Sequence, residues 1–367
     1  MKRAIEKLCI DRKAKISEAL KYMDEIKLKL LIVTSNNQFY SLISIGDIQR
    51  AILKEYDLNL PIEKILRSKD KIRVAHIKDS ESAIKETMIK HKTEFMPVID
   101  DNRSIHSVYF WSDVIGRDEV IEKEKLDIPA VIMAGGMGKR LKPITNIIPK
   151  ALMPIGEKPI LEIIIDKLYE VGIKDFYISV NYKKEMIKQY FKQLGSQGYN
   201  IEYVEENKPL GTGGSLYLLK NKLLKTFFVS NCDVLIDQDF REVYHYHKEN
   251  RNELTIVSAL QHYPIPYGTL ETGYNGILTK IKEKPELTFQ VNTGMYILEP
   301  HLLRDIPEDS FFQITSLINK VLHRGGKIGV FPVSEHSWID IGVWKKYEDS
   351  LNEFKNWRFC YILWGRL

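Results

Sequence analysis

Between Ala134 and Ile155 lies a run of residues suited to holding a polyphosphate. Ala134-Gly135-Gly136-Met137-Gly138 follows an apolar stretch, Ile128 to Met133, and leads into Lys139-Arg140-Leu141-Lys142-Pro143-Ile144-Thr145 and Pro149-Lys150. Glycines placed directly after a buried strand let backbone N–H groups approach phosphate oxygens with no Cβ in the way. Two familiar glycine motifs are excluded by single residues. A P-loop requires Ser or Thr after Gly-Lys, whereas Arg140 follows Gly138-Lys139. A dinucleotide fingerprint starting at Gly136-Met137-Gly138 requires a glycine where Leu141 stands. What remains is a glycine loop with fixed cations, Arg140 and Lys150, set among proline-stiffened turns.

Such a loop must be carried by elements that hold it still. From Ile128 onward the pattern alternates. A strand ends in the loop, a helix spans about Pro159 to Val171, and a strand runs from Phe176 to Val180. Then come a helix from Lys184 to Leu194 and a strand from Ile201 to Val204. A second glycine stretch, Leu210-Gly211-Thr212-Gly213-Gly214, precedes the strand Phe227–Ser230, which closes on Asn231-Cys232-Asp233. Alternation of this kind predicts a mostly parallel sheet wrapped by helices, with ligands at the carboxyl ends of its strands.

The first 115 or so residues read differently, as one unit written twice. A helix at Ser17–Met23, a strand at Leu30–Val33, an Asn36-Asn37 turn and a strand at Phe39–Ser44 recur as Ser82–Met88, Phe95–Ile99, Asp100-Asp101-Asn102 and a strand beginning at Ser107. The strongly charged segment 116–127 reads as a connection. The expected division is 1–117, a linker at 118–127, a larger domain at 128–350, and a tail at 351–367 with aromatic residues at Trp357, Phe359, Tyr361 and Trp364.

Composition narrows the function. The 367 residues are 44% hydrophobic and 28% charged, an ordinary globular balance, and the net charge of +5 is a weak bias that suits anionic substrates. No basic stripe marks a nucleic-acid binder. Cys9, Cys232 and Cys360 have no CxxC spacing, so neither a disulfide framework nor a zinc site is expected. No apolar run approaches the ~20 residues of a membrane span, and the N-terminus lacks a signal-peptide stretch. The expected location is the cytoplasm, without membrane or nucleic-acid partners.

The run from Gly135 to Ile155 resembles the sugar-nucleotidyltransferase signature GGxGxRLxPxTxxxPKxLxPI at every specified position. The fold this implies is α/β, with a Rossmann-like, mostly parallel nucleotidyltransferase sheet. The resemblance implies that Ala134, Gly135, Gly136 and Gly138 hold base and phosphates, and that Arg140 and Lys150 neutralise the triphosphate. Gly211, Thr212 and Gly213 match the family's second nucleotide loop. Asp233 of Asn231-Cys232-Asp233 and Asp340 of Trp338-Ile339-Asp340-Ile341-Gly342 match its Mg²⁺ ligands. Gly268, Glu283, Lys284, Asn292 and Thr293 match segments that bind the sugar phosphate. The implied substrates are a nucleoside triphosphate and a sugar 1-phosphate. The sugar phosphate attacks the α-phosphorus, and catalysis rests on positioning and charge neutralisation.

The N-terminal repeat resembles a tandem CBS-domain pair, in which a Ser or Thr three residues before an Asp grips a nucleotide's ribose and phosphate. Ser44 and Asp47 match that spacing, while Phe110 replaces the hydroxyl ahead of Asp113. Ser44 and Asp47 also suit a simple helix cap. A CBS pair ahead of this catalytic domain resembles the glucosamine-1-phosphate guanylyltransferases of bacterial legionaminic-acid synthesis. That likeness implies GTP, glucosamine 1-phosphate, a regulatory nucleotide in the CBS module and a homo-oligomer, dimer or tetramer. Mannose-1-phosphate guanylyltransferase and glucose-1-phosphate thymidylyltransferase are the rivals. A nucleotide-sensing regulator with a degenerate catalytic domain is the alternative of another class, and intact Arg140, Lys150, Asp233 and Asp340 argue against it.

Overall fold

The computed structural model describes residues 5–26, 28–68, 72–91, 93, 95–110, 124–342, 344–345 and 347–348. Asp113, most of the expected linker and the aromatic tail lie outside the described residues. The chain divides into two compact units, residues 1–122 and 123–358.

In the first unit β1 (Cys9–Asp11), α1 (Ile16–Ile26), β2 (Leu30–Ser35), β3 (Gln38–Ser44) and α2 (Ile45–Leu53) form the first half. Ile16, Ala19, Leu20 and Met23 recur at helical spacing and are all buried, so α1 packs as an amphipathic crossover between parallel strands. Asn36 and Asn37 both take positive φ, 51° and 61°, the backbone that a tight hairpin between β2 and β3 demands and that Asn tolerates. The second half is β4 (Ala75–His76), α3 (Glu81–His91), β5 (Phe95–Ile99) and β6 (Ile105–Phe110). Its three-stranded sheet repeats the first: one parallel pair, then one antiparallel pair. Ile32 and Phe39 of one half share a core with Phe95 of the other, so neither half buries its apolar face alone.

The second unit is a seven-stranded sheet. Its strands are β7 (Ala130–Met133), β10 (Asp175–Val180), β11 (Asn200–Glu205), β12 (Phe227–Asn231), β14 (Leu254–Pro264), β17 (Glu286–Leu298) and β18 (Ile328–Val333). Small accessory pairs complete the numbering: β8 (Pro154–Ile155) with β9 (Lys158–Pro159), β13 (Val234–Ile236) with β19 (Trp338–Asp340), and β15 (Thr269–Thr272) with β16 (Leu278–Lys282). The sheet order is β11-β10-β7-β12-β17-β14-β18. Every neighbouring pair is parallel except those made by β17, which runs against β12 and β14. The sheet is mostly parallel, as expected, and the single reversed strand β17 makes it mixed.

Strand periodicity explains how the sheet fills both faces. Ala130 and Ile132 of β7 enter the core that holds α4 (Ile160–Glu170) and α5 (Lys184–Leu194). Val131 and Met133 enter the opposite core, with Leu317 and Val321 of a later helix, Ile314–His323. A strand buried on both sides reads as a continuous apolar run, which is why β7 is so evident in the sequence. Strands β10 and β12 flank β7 on either side, so their connections diverge above it. The crevice where strand order reverses is where open α/β sheets bind ligands, and the glycine loop sits there. Among the described residues no helix is long and apolar enough to cross a membrane.

Candidate active site

The loop after β7 begins by extending the ladder: Ala134 N–H donates to the Ser179 carbonyl at 2.8 Å. Gly138 takes a left-handed φ of 62°, and a Cβ there would lie 2.8 Å from Thr145 Cγ2. Only glycine fits that turn. Thr145 is buried, and its hydroxyl donates to the Gly138 carbonyl at 2.9 Å. Tyr182 in turn donates its hydroxyl to the Thr145 carbonyl at 3.0 Å. Gly136 differs from its neighbours, since a Cβ there would meet nothing within 4 Å. Its open side is the face left to a ligand.

The charged residues converge on one point. β13 and β19 pair antiparallel with Val234 opposite Asp340, and Ile341 N–H donates to the Asp233 carbonyl at 3.0 Å. This small ladder carries Asp340 to Asp233 across more than a hundred residues of sequence. Beside them, Gly342 has no side chain. A Cβ built there would stand 2.8 Å from Asp233 Oδ2, 2.8 Å from Asp340 Oδ1 and 3.1 Å from an Arg140 guanidinium nitrogen. Lys150 completes the cluster through an ion pair with Asp233, both side chains being largely buried at 14% and 12% exposure. Two carboxylates aimed at a hollow that a methyl group would fill suit a divalent cation taking one or two carboxylates, with phosphate and water as further ligands. Next to Asp233 in the chain, Cys232 is inert: burial pushes its thiol up to about 12, the Lys150 charge notwithstanding.

Beside Gly135 of the loop lies a residue that the sequence reading did not single out. Glu206, at the carboxyl end of β11, is buried and accepts hydrogen bonds from Ser179 Oγ and, at 3.0 Å, from Leu210 N–H. A Cβ on Gly135 would stand 2.7 Å from its Oε1, so Gly135 is glycine to admit this carboxylate. The signal was present as an acid ending a strand five residues before Gly211, but Glu205-Glu206 looks like solvated charge.

Other expected residues are placed less directly. Gly211–Gly214 form one helical turn, and the N–H groups of Gly213 and Gly214 both donate to the Phe312 carbonyl, at 2.9 and 3.0 Å. Thr212 donates to Gln313 Oε1 at 2.8 Å. A Cβ on Gly211 or Gly214 would meet the carbonyl of Phe312 or Ser310 at 2.7 or 2.6 Å. Close packing on residues 310–314 therefore demands these glycines. Gly268 and Glu283 are neighbours on the β15–β16 hairpin, where a Cβ on Gly268 would lie 3.0 Å from Glu283 Oε2. Lys284 follows with φ 42°. Asn292 donates to the Tyr296 hydroxyl and accepts from the Gly294 N–H. Thr293 is buried and its hydroxyl donates to the Val257 carbonyl at 2.7 Å inside the β14–β17 bulge.

In the first unit Ser44 and Asp47 form a reciprocal cap at the start of α2. Ser44 N–H donates to Asp47 Oδ2 at 2.8 Å and Asp47 N–H to Ser44 Oγ at 3.3 Å. Arg50 and Arg67 both ion-pair with Asp47. Burial alone would raise the Asp47 pKa, but the hydrogen bonds from Arg67 and Ser44 outweigh it and hold the carboxyl below its usual value. A depressed carboxylate stabilises the fold above its unfolded pKa, and that contribution disappears as pH falls through the folded value. Asp47→Ala is expected to cost about 1–2 kcal/mol, a cap's worth, because the two half-exposed arginines regain water. Urea unfolding of both proteins measures the difference, which should shrink below about pH 4.

A glycine loop at the switch point of an α/β sheet, facing paired carboxylates and paired cations, defines a nucleotide-phosphate-handling protein. Residues 129–356 match the nucleotidyl transferase family, and the chain belongs to it. The chain is 33% identical over 230 residues to a mannose-1-phosphate guanyltransferase of Emericella nidulans, covering 59% of this chain and 62% of that one. It is 31% identical over 225 residues to the Saccharomyces cerevisiae protein of the same name, again covering 59% and 62%. The chain thus spans about three-fifths of the length of these relatives. The solved structure of HddC from Yersinia pseudotuberculosis is also similar, with a TM-score of 0.50 and 26% identity, covering 62% of this chain and 99% of that one.

Proposed function

We propose that this chain transfers GMP from GTP to a sugar 1-phosphate and releases pyrophosphate. The observation that carries the reading is the convergence of Asp233, Asp340 and Arg140 around Gly342, with Lys150 paired to Asp233 and packed beside Gly138 of the glycine loop. A phosphate oxygen of the sugar attacks the α-phosphorus, the new P–O bond forms, and the bond to pyrophosphate breaks. Arg140 and Lys150 balance the charge moving onto the leaving group, and loop N–H groups orient the phosphates. Asp233 and Asp340 would hold Mg²⁺, which supplies further neutralisation of phosphate charge when bound.

Glu206 supports guanine. Guanine presents two adjacent donors, the ring N1–H and the exocyclic amine. A carboxylate has about four acceptor sites, and among the described residues Ser179 and Leu210 take two of those on Glu206. Thymine, uracil and adenine offer no such donor pair. For the acceptor we favour glucosamine 1-phosphate, on the likeness to the legionaminic-acid subgroup. Mannose 1-phosphate is the second reading, favoured by the names of the curated relatives. We read the first unit as a CBS pair that takes a regulatory nucleotide near Ser44 and Asp47. The chain then acts in the cytoplasm as a homo-oligomer.

A pyrophosphate-release assay with five triphosphates (GTP, ATP, UTP, CTP, dTTP) and three sugar phosphates tests this. GTP with glucosamine 1-phosphate should give the highest kcat/KM, and a preference for mannose 1-phosphate would install the second reading. Glu206→Gln should lower kcat/KM for GTP roughly 100-fold, the scale of a lost paired hydrogen bond. No pyrophosphate under any combination would leave a regulatory protein.

A further inference from the structure

β10 ends at Val180 and α5 begins at Lys184, so Asn181, Tyr182 and Lys183 are the whole of the turn between them. Each of the three grips a different stretch of backbone. Asn181 Nδ2 donates to the Glu206 carbonyl at 2.7 Å. The Tyr182 hydroxyl donates to the Thr145 carbonyl at 3.0 Å, and the Tyr182 N–H donates to the Gly135 carbonyl at 3.5 Å. Lys183 Nζ donates to the Ile147 carbonyl at 3.1 Å. Lys183 also takes a φ of 52°, a left-handed backbone that a lysine keeps when its surroundings fix it.

Every acceptor is a main-chain carbonyl, so the turn holds the course of the chain and not the tilt of one side chain. Gly135 opens the glycine loop and Thr145 closes it, and Tyr182 bonds both. Inside the loop, Leu141 N–H donates to the Gly138 carbonyl and Asn146 N–H to the Pro143 carbonyl, each at 2.9 Å. Those bonds set the loop's shape. Its place on the sheet rests on buried Leu141 and on the grips from the turn. Thr145 carries the constraint inward, because its hydroxyl holds the Gly138 carbonyl and its methyl group packs against the point a Gly138 Cβ would take. Lys150 Cβ lies 3.2 Å from the same point, and Arg140 stands between Gly138 and Thr145 in the chain.

The geometry points to Tyr182 as a positioning residue for the transfer: its hydroxyl ties the far end of the loop to β10, and so brings Arg140 and Lys150 into register with the leaving phosphates. This role rests on the proposed reaction and deepens it. Glu206 N–H donates to the Val180 carbonyl and Ala134 N–H to the Ser179 carbonyl, so Glu206 and the start of the loop stay pinned to β10 without the hydroxyl. Ground-state contacts made there survive its loss. What loosens is the register of the two cations, which matters most while charge moves onto the leaving group. A loss of that kind falls on kcat and spares KM.

Tyr182→Phe keeps the ring and removes one hydroxyl. It should lower kcat for pyrophosphate release about tenfold, the worth of one hydrogen bond, with KM for the triphosphate and the sugar phosphate within about twofold of wild type. Tyr190→Phe is the control, since that hydroxyl donates to Glu162 Oε2 at 2.6 Å, from α5 to α4 and not to the loop. It should keep the wild-type kcat. Hydrogen exchange reads the tether without turnover: amides of residues 136–147 should exchange several times faster in Tyr182→Phe, and those of β7 at the wild-type rate. Unchanged kcat or unchanged loop exchange in Tyr182→Phe, in an enzyme that releases pyrophosphate, would overturn the role and leave the reaction standing. So would an equal loss of kcat in Tyr190→Phe. A wild-type chain that releases no pyrophosphate would overturn the reaction and this role with it.

Discussion

Lys150→Ala is expected to lower kcat by about 1,000-fold, near 4 kcal/mol of transition-state stabilisation. Two effects act in the same direction. On the proposed reaction the variant loses a cation that would face the phosphates, and Asp233 and Asp340 would meet the substrate's negative charge with Arg140 alone of the two cations beside them. The Lys150–Asp233 pair has a second meaning. With no phosphate present the lysine neutralises a carboxylate that would otherwise sit largely buried beside another, and substrate offers it a better partner. Lys150→Arg should recover only part of the rate, because a planar fork does not replace a compact ammonium on a short tether. Stability of Lys150→Ala should fall as well, by about 3 kcal/mol, because removing one partner of a largely buried pair leaves Asp233 uncompensated beside Asp340. Pyrophosphate release at saturating substrate, with a melting curve alongside, separates the two. A folded Lys150→Ala protein within tenfold of the wild-type rate would show that this cation does not face the triphosphate.

Local features of this fold were legible because local chemistry dictates them. The helix expected at Lys184–Leu194 occupies those residues, since its apolar positions recur at helical spacing. The glycine loop follows β7 because a strand buried on both faces is unmistakable. Distant pairings were not legible. β17 carries the same alternation whether it runs with or against β12, and nothing near it in sequence says which. The second glycine loop shows the same blindness. Its glycines read as ligand-binding, and nothing in the sequence signalled that they must also make room for Phe312 and Ser310, about a hundred residues away. Nor did the sequence show that the Thr293 hydroxyl bonds the Val257 carbonyl in the bulge between Ile256 and Ser258. Glu206 was hidden because burial, and not residue type, makes that carboxylate unusual.

Gly342 brings the metal and phosphate readings to one test. Its φ lies outside the left-handed region, so alanine meets no backbone strain there. The obstacle is the cluster itself. A methyl group would press at 2.8 Å on carboxylate oxygens of both Asp233 and Asp340 and at 3.1 Å on Arg140, and the Gly342 N–H already holds Asp340 Oδ1 at 2.7 Å. None of these atoms can stay where it is. Moving reacting groups by about 1 Å costs on the order of 100-fold in rate. Gly342→Ala should therefore lower kcat by about that factor and raise the Mg²⁺ concentration needed for half-maximal rate. The β13–β19 ladder and buried Ile341 lie outside the collision, so the fold should hold, with a Tm shift of no more than about 4 °C. A variant with lost activity but an unmoved Mg²⁺ requirement would place the metal away from these carboxylates. One with wild-type kinetics would mean that Asp233, Asp340 and Arg140 do not act together at all.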